Sequence, residues 1–170
     1  GQVHKGISRL AADGTLDYSF DTQVDSGYVT SMSIQADGNI LFGGFFSSVD
    51  GRNRSNLARI DRNGDLDISY SPVLNGTVLD VLVQPNGQSV LAGQFTVVNA
   101  MNRNRIARLN ADGTLDPGFN PNANAAVAVL LQLPSGSMLV GGDFTNIGGS
   151  SQARIALLDT GGSASENFAL

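Results

Sequence analysis

Short apolar runs punctuated by glycine turns follow one another along the whole chain, in a fixed order. The stretch ISRLAADGTLDYSF (7–20) returns as LARIDRNGDLDISY (57–70), as IARLNADGTLDPGF (106–119) and, in worn form, as IALLDTGGSASENF (155–168). The turn glycines Gly14, Gly64, Gly113 and Gly162 are spaced 50, 49 and 49 residues apart. A second motif recurs between them as ADGNILFGGFF (36–46), PNGQSVLAGQF (85–95) and PSGSMLVGGDF (134–144). A third precedes it as YVTSMSIQ (28–35), TVLDVLVQ (77–84) and AVAVLLQL (126–133). Each unit of about 49 residues therefore carries four β-type runs: a (28–35), b (39–47), c (56–61) and d (15–20), with their copies.

A period in this range signals a repeat architecture. Tight glycine turns join a to b and c to d, so these neighbours are antiparallel, which argues against a parallel β-helix. A four-stranded antiparallel meander repeated at this spacing is a propeller blade. The expected fold is all-β, with an N-terminal half blade (7–20) and three full blades, 21–70, 71–119 and 120–168. The unbroken apolar run AVAVLLQL predicts an innermost strand buried on both faces. A three-residue c–d loop with the glycine in the left-handed region sets Leu10 opposite Leu16, Ile60 opposite Leu66 and Leu109 opposite Leu115. It also sets Arg9 against Asp17, Arg59 against Asp67 and Arg108 against Asp116. In the fourth copy Leu157 and Ser165 replace both partners together, as a cross-strand ion pair predicts.

The string DG-[ST]-LD-x-x-F, followed by V-x-x-x-x-x-Q-x-x-G, GG-x-F and an R-I-A-R-L-N segment, resembles the Delta-60 repeat β-propeller family over nearly the whole chain. The departures are Ala92 for the first glycine of the pair, Ser89 within run b, and the degraded last c–d unit. The resemblance implies the fold and occurrence in bacterial, often large, proteins; it implies little about activity.

Composition narrows the setting. The chain has 170 residues, 41% hydrophobic and 15% charged, with net charge −5 and a single Lys, Lys5. That balance disfavours nucleic acid and anionic membranes, which want clustered Lys and Arg. A surface of Asn, Gln, Ser, Thr and Gly suits secreted or surface-displayed bacterial and phage proteins. There is no Cys, hence no disulfide framework. No apolar run approaches the length of a membrane span, and no membrane insertion is expected. The chain begins at Gly1 in mid-pattern, as expected of a processed product or a piece of something longer.

Read alone, DRNGDLD (61–67) looks like a Ca²⁺ loop. Its Gly stands at the fourth position, where an EF-type loop needs the sixth. The sister loops AADGTLD and NADGTLD lack the first or fifth carboxylate. The expectation is a structural hairpin, with no metal and no cofactor. Catalysis has little to draw on: His4 is the only imidazole, and the unrepeated Asp21, Asp25, Asp50, Asp80 and Asp143 form no motif. The paired glycines Gly43-Gly44 and Gly141-Gly142 sit inside run b and are expected to allow close blade packing rather than to cradle phosphate. Phe20, Tyr70 and Phe119, with Phe46, Phe95 and Phe144, recur in phase as inter-blade core.

The long connections remain. The b–c loops (47–55, 96–104, 145–153) and d–a loops (21–27, 71–76, 120–125) are expected at the end of the blades opposite the tight turns. Loops on a rigid scaffold are where binding resides. Arg52, Asn53, Arg54, Asn102, Arg103 and Asn122, with Tyr28 beside a long loop, are the candidate ligand-binding residues, since Arg and Asn fork onto carboxylates, hydroxyls and amides. The expected function is a non-catalytic extracellular recognition or adhesion module for a glycan or protein. The alternative is a structural unit, of the kind found at a fibre tip, in which open blade edges complete a propeller by forming a homo-oligomer, a dimer or trimer.

Overall fold

The structure, a computed structural model, describes residues 6–166 and 168. Among these residues every regular element is a strand. In chain order they are β1 (Gly27–Ile34), β2 (Ile40–Phe46), β3 (Ser48–Val49), β4 (Arg52–Asn53), β5 (Leu57–Ile60), β6 (Val78–Val83), β7 (Ser89–Gly93), β8 (Val97–Val98), β9 (Met101–Asn102), β10 (Ile106–Leu109), β11 (Val127–Gln132), β12 (Met138–Gly142) and β13 (Ile155–Leu158). Runs a, b and c of each unit form one antiparallel sheet: β1-β2-β5, β6-β7-β10 and β11-β12-β13. The pairs β3–β4 and β8–β9 are small hairpins inside the b–c connections.

The turn chemistry sets the register. In the c–d turn of the first unit, the Gly64 amide donates to Asp61 O (3.1 Å), the Asp61 amide to Asp65 O (2.9 Å), and Gly64 takes φ 96. The a–b turn repeats this geometry through Gly38, Gln35 and Asn39. The expected cross-strand partners are therefore met: Leu10 with Leu16, Ile60 with Leu66, Leu109 with Leu115, and Leu158 with Ala164 in the worn copy.

The fourth run pairs through this single bridge and one flanking bond, Asp67 N to Arg59 O (2.9 Å), rather than as a ladder. The cause is local. The Asp67 carboxylate accepts the Ser69 amide (2.9 Å) and hydroxyl (2.6 Å), an Asx turn that bends the chain away two residues past the pair. Asp17 with Ser19 and Asp116 with Gly118 do the same.

The core lies between sheets, in layers. Phe42, Phe46, Ala58 and Ile60 of the first sheet meet Ile7 and Phe20 of the N-terminal hairpin. Leu41 and Leu57 on its other face meet Val78, Val81, Leu91 and Tyr70. Val90, Ile106 and Phe119 meet Val127, Leu130, Val140 and Phe144. The middle strands of the first two sheets are thus buried on both faces. The expectation that the innermost run of the third sheet is buried on both faces fails: Val129 and Leu131 are 58% and 54% exposed, because no described sheet lies against that side.

The repeated Arg does more than pair across its hairpin. Arg59 Nη2 lies 2.7 Å from Asp67, its guanidinium stacks 4.2 Å from the Tyr70 ring centroid, and Nη1 donates to Ala111 O (2.7 Å) in the next unit's c–d turn. Arg108 pairs with Asp116 (2.7 Å), stacks on Phe119 (4.5 Å) and reaches Thr160 O (2.7 Å). Arg9 pairs with Asp17 (2.9 Å), stacks on Phe20 and reaches Arg62 O. Each Arg therefore staples one unit to the next. A second stitch runs along the inner strands: Asp80 Oδ1 accepts the Ser31 hydroxyl (2.7 Å) and Oδ2 the Leu130 amide (2.8 Å), joining all three sheets.

Candidate functional site

The long connections are not free loops. Each b–c hairpin folds along the outer rim over its own fourth run. Arg103 donates to Pro117 O (3.4 Å) at the hairpin base, and Asn99 Nδ2 to Gly113 O (3.1 Å) near its tip. Val49, Val98 and Ile147 are wholly buried beneath it. The d–a run closes the arrangement: Val24 bridges to Val49 and Leu74 to Val98. Asn75 Oδ1 accepts the Thr96 and Val97 amides (2.8 and 2.9 Å), and Asn124 does the same for Thr145 and Asn146. The expected separation of long connections from tight turns therefore fails at the rim, where b–c tips and c–d turns meet. The in-phase apolar residues Val49, Val98 and Ile147 are the sequence signal for this.

This placement sorts the candidate residues. Arg54 donates to Asp67 O and Ile68 O (3.4 and 3.1 Å) and to Asn53 O (2.8 Å). Arg103, only 7% exposed, makes the equivalent contacts, and Gln152 Nε2 takes the same role on Ser165 O (3.4 Å). These side chains hold the rim hairpins down. Arg52, Asn53 and Asn102 are exposed on β4 and β9. Asn53 and Arg54 line a crevice of about 260 Å³ with Pro72 and Val73. Asn122 is exposed and accepts from Asn104 Nδ2 (2.7 Å).

Tyr28 stands elsewhere, at the loop end of the first sheet. It pairs with Phe45 across β1 and β2, the rings 5.9 Å apart, and both are 56% exposed. Phe45 forms a wall of a cavity of about 400 Å³ between the first and second units. Asn56, Ser47, Ser55, Leu74 and Asn75 are among its other lining residues, and none of the lining is charged. Phe45 and Asn56 do not stand among the loop-derived candidates. Their signal in the sequence is that each breaks the repeat at its own phase.

The carboxylates are largely engaged. Asp61 accepts the Asn63 and Asp65 amides (2.8 and 2.9 Å), and the Asp65 amide holds its carboxyl below the usual range. Burial alone would raise Asp67, but the Ser69 hydroxyl and Arg59 outweigh it and hold the carboxyl at about 2. Burial pushes Asp50 up, against the lowering bond from the Gln23 amide. Among the described residues no three His, Asp or Glu side chains group as metal ligands. His4 lies outside the described residues.

A family model for β-propeller domains matches residues 1–20, 35–70, 84–119 and 133–165. The chain belongs to that family, described as domain of unknown function (DUF5122) beta-propeller. The matched segments of this propeller leave out the d–a connection and most of run a. Tyr28, Asp80 and Asn122 thus lie outside them, Phe45 and Asn56 inside. No curated protein sequence matches the chain. A crystal structure of a protein of unknown function from Bacteroides caccae is similar at 23% identity and a TM-score of 0.44. That match covers 78% of this chain and 46% of the other, so the chain spans under half of that protein's length.

Proposed function

We propose that this Delta-60-type repeat propeller is a non-catalytic recognition module, secreted or displayed on a cell surface, that binds a glycan or protein at the loop end beside Tyr28 and Phe45. One observation carries the reading: an exposed, tilted aromatic pair, whose Phe45 walls an uncharged cavity, stands on a scaffold whose connections are zipped together by side-chain amides. Rigid aromatic anchors beside adaptable polar groups are the ordinary composition of a recognition surface. The engagement of the repeated carboxylates in turns and ion pairs supports a non-catalytic role. The test is a glycan array together with capture on immobilised surface proteins. Binding is expected, lost in Tyr28→Ala and retained in Asn86→Ala at the a–b turn. Silence on both supports, or equal loss in both variants, would sink the reading.

A second reading, assembly through open blade edges, is favoured by the exposed Met32 and Ile34 on the first sheet and Val129 and Leu131 on the third. The counterparts of Met32, Val81 and Leu130, are buried against the preceding sheet. Light scattering checks it: a discrete oligomer that Leu131→Asp breaks up supports assembly, and a monomer at high concentration removes it.

A further inference from the structure

We propose that the cavity beside Phe45 is a subsite for one neutral, hydroxyl-bearing ring, a single uncharged sugar unit; this rests on the recognition reading above. Two repeat positions line the cavity, Phe45 and Asn56, and a third, Tyr28, packs on Phe45; each departs from its own pattern. Tyr28 is replaced by Thr77 and Ala126 in the other units, Phe45 by Gln94 and Asp143, and Asn56 by Arg105 and Arg154. At the last position the backbone is the same throughout, with φ 67, 68 and 70. The amides of Asn56, Arg105 and Arg154 donate to Phe46, Phe95 and Phe144 O at 3.0, 2.9 and 2.8 Å. The side chain therefore starts from one place in each unit, and only its chemistry changes. In the second unit Arg105 folds its guanidinium back onto the carbonyl of Gln94, the counterpart of Phe45. Asn56 is too short to do so, and the equivalent space beside Phe45 stays open.

The chemistry of the opening selects a ligand class. Asn56 is 8% exposed; its Nδ2 faces Leu74 O at 3.5 Å, and its Oδ1 has no partner. Because the amide nitrogen faces a carbonyl, the group left over is an acceptor. A buried acceptor without a donor is costly, and a ligand hydroxyl would satisfy it. Phe45 offers a broad apolar face braced by Tyr28, and Ser47 and Ser55 add hydroxyls around the wall. A pyranose, apolar on one face and hydroxylated around its edge, meets both demands. An aliphatic side chain would cover Phe45 and leave Asn56 unpaired. A carboxylate or phosphate would set oxygen against oxygen with no cation in the lining. The volume, about 400 Å³, lies at the small end of ligand pockets and suits one ring rather than a chain.

The test is an NMR titration with glucose, galactose, mannose and N-acetylglucosamine, with sialic acid as the acidic comparison. The proteins are the wild type, Asn56→Arg and Phe45→Gln. Both variants install residues that the second unit already carries at these positions, and a thermal melt checks that they fold. The expected result is that at least one neutral sugar shifts the Asn56 side-chain amide and Phe45 ring signals, with affinity at least tenfold weaker in both variants. The proposal is overturned if no neutral sugar shifts these signals, if only sialic acid does, or if the variants bind like the wild type. In that last case recognition elsewhere on the loop end still stands, whereas failure on every array and protein surface removes recognition itself.

Discussion

At the residue scale the repeated Arg is the most informative side chain. Arg59 combines an ion pair, a stacking contact and a bond into the next unit from one guanidinium. An exposed pair alone contributes about 0–1 kcal/mol. The stack and the charged hydrogen bond raise the expected cost of Arg59→Ala to about 2 kcal/mol, a Tm fall of about 5 °C. Arg59→Lys should rescue little, since an ammonium cannot fork and stack at once. Arg9→Ala should cost less, because the Arg9 side chain is 39% exposed against 13% for Arg59. Thermal melts of the three variants check this order. Acid adds a second prediction. Asp67 is held at about 2 in the folded chain, whereas an unfolded Asp titrates near ~3.9. The unfolded state therefore takes up the proton first. The contribution is full above about pH 5 and is lost as the pH falls towards 2, a change of order 2 kcal/mol. Urea midpoints at pH 6 and pH 3 should drop less in Asp67→Asn than in the wild type.

At the scale of the element, the glycine pair of run b is explained by a bulge. Each inner strand shifts register near its start, between Val29 and Ser31, Val78 and Asp80, and Val127 and Val129. The bulge presses a carbonyl onto the second glycine. A methyl on Gly44, Gly93 or Gly142 would overlap the carbonyl oxygen of Tyr28, Thr77 or Ala126. The first position depends on the neighbouring unit: a methyl on Gly43 would overlap the Val78 side chain of the second sheet, the close blade packing expected there, whereas Ala92 occupies the position in the second sheet and a methyl on Gly141 would lie 3.7 Å from Arg154 O, an ordinary contact. Gly93→Ala is therefore expected to cost about 3 kcal/mol or more, and Gly141→Ala less than about 1 kcal/mol. Chemical denaturation separates them. The four-run meander was legible in the sequence because turn glycines and apolar pairs are local signals. The shortening of its fourth run was not, because a carboxylate that pairs with Arg59 through one oxygen also bends the chain through the other.

At the scale of the whole molecule, the units are coupled at two radii, by the Arg staples outside and by Asp80 inside. Asp80 reaches the first and third sheets at 2.7 and 2.8 Å. Asp80→Ala should leave the Leu130 amide without its acceptor and speed its hydrogen exchange, with little change at the c–d hairpins, where the Arg staples persist. Uniform loss of protection would count against this inner stitch. The loop end is also a property of the whole. Tyr28, Phe45 and Asn56 belong to separate runs that the first sheet brings together, and only Leu74 and Asn75 of the second unit close the cavity beside Phe45 and Asn56.

The sequence by itself determined the repeat, the all-β class, the turn geometry and the Arg–Asp register, since each depends on residues a few positions apart and is stated at least three times over. The tertiary structure decided what the connections do. Apolar residues at one phase, Val49, Val98 and Ile147, pull the b–c hairpins onto the rim and turn Arg54 and Arg103 into anchors. Packing of the second unit against the first then sets Asn56 in the cavity wall, where its buried amide oxygen lacks a donor.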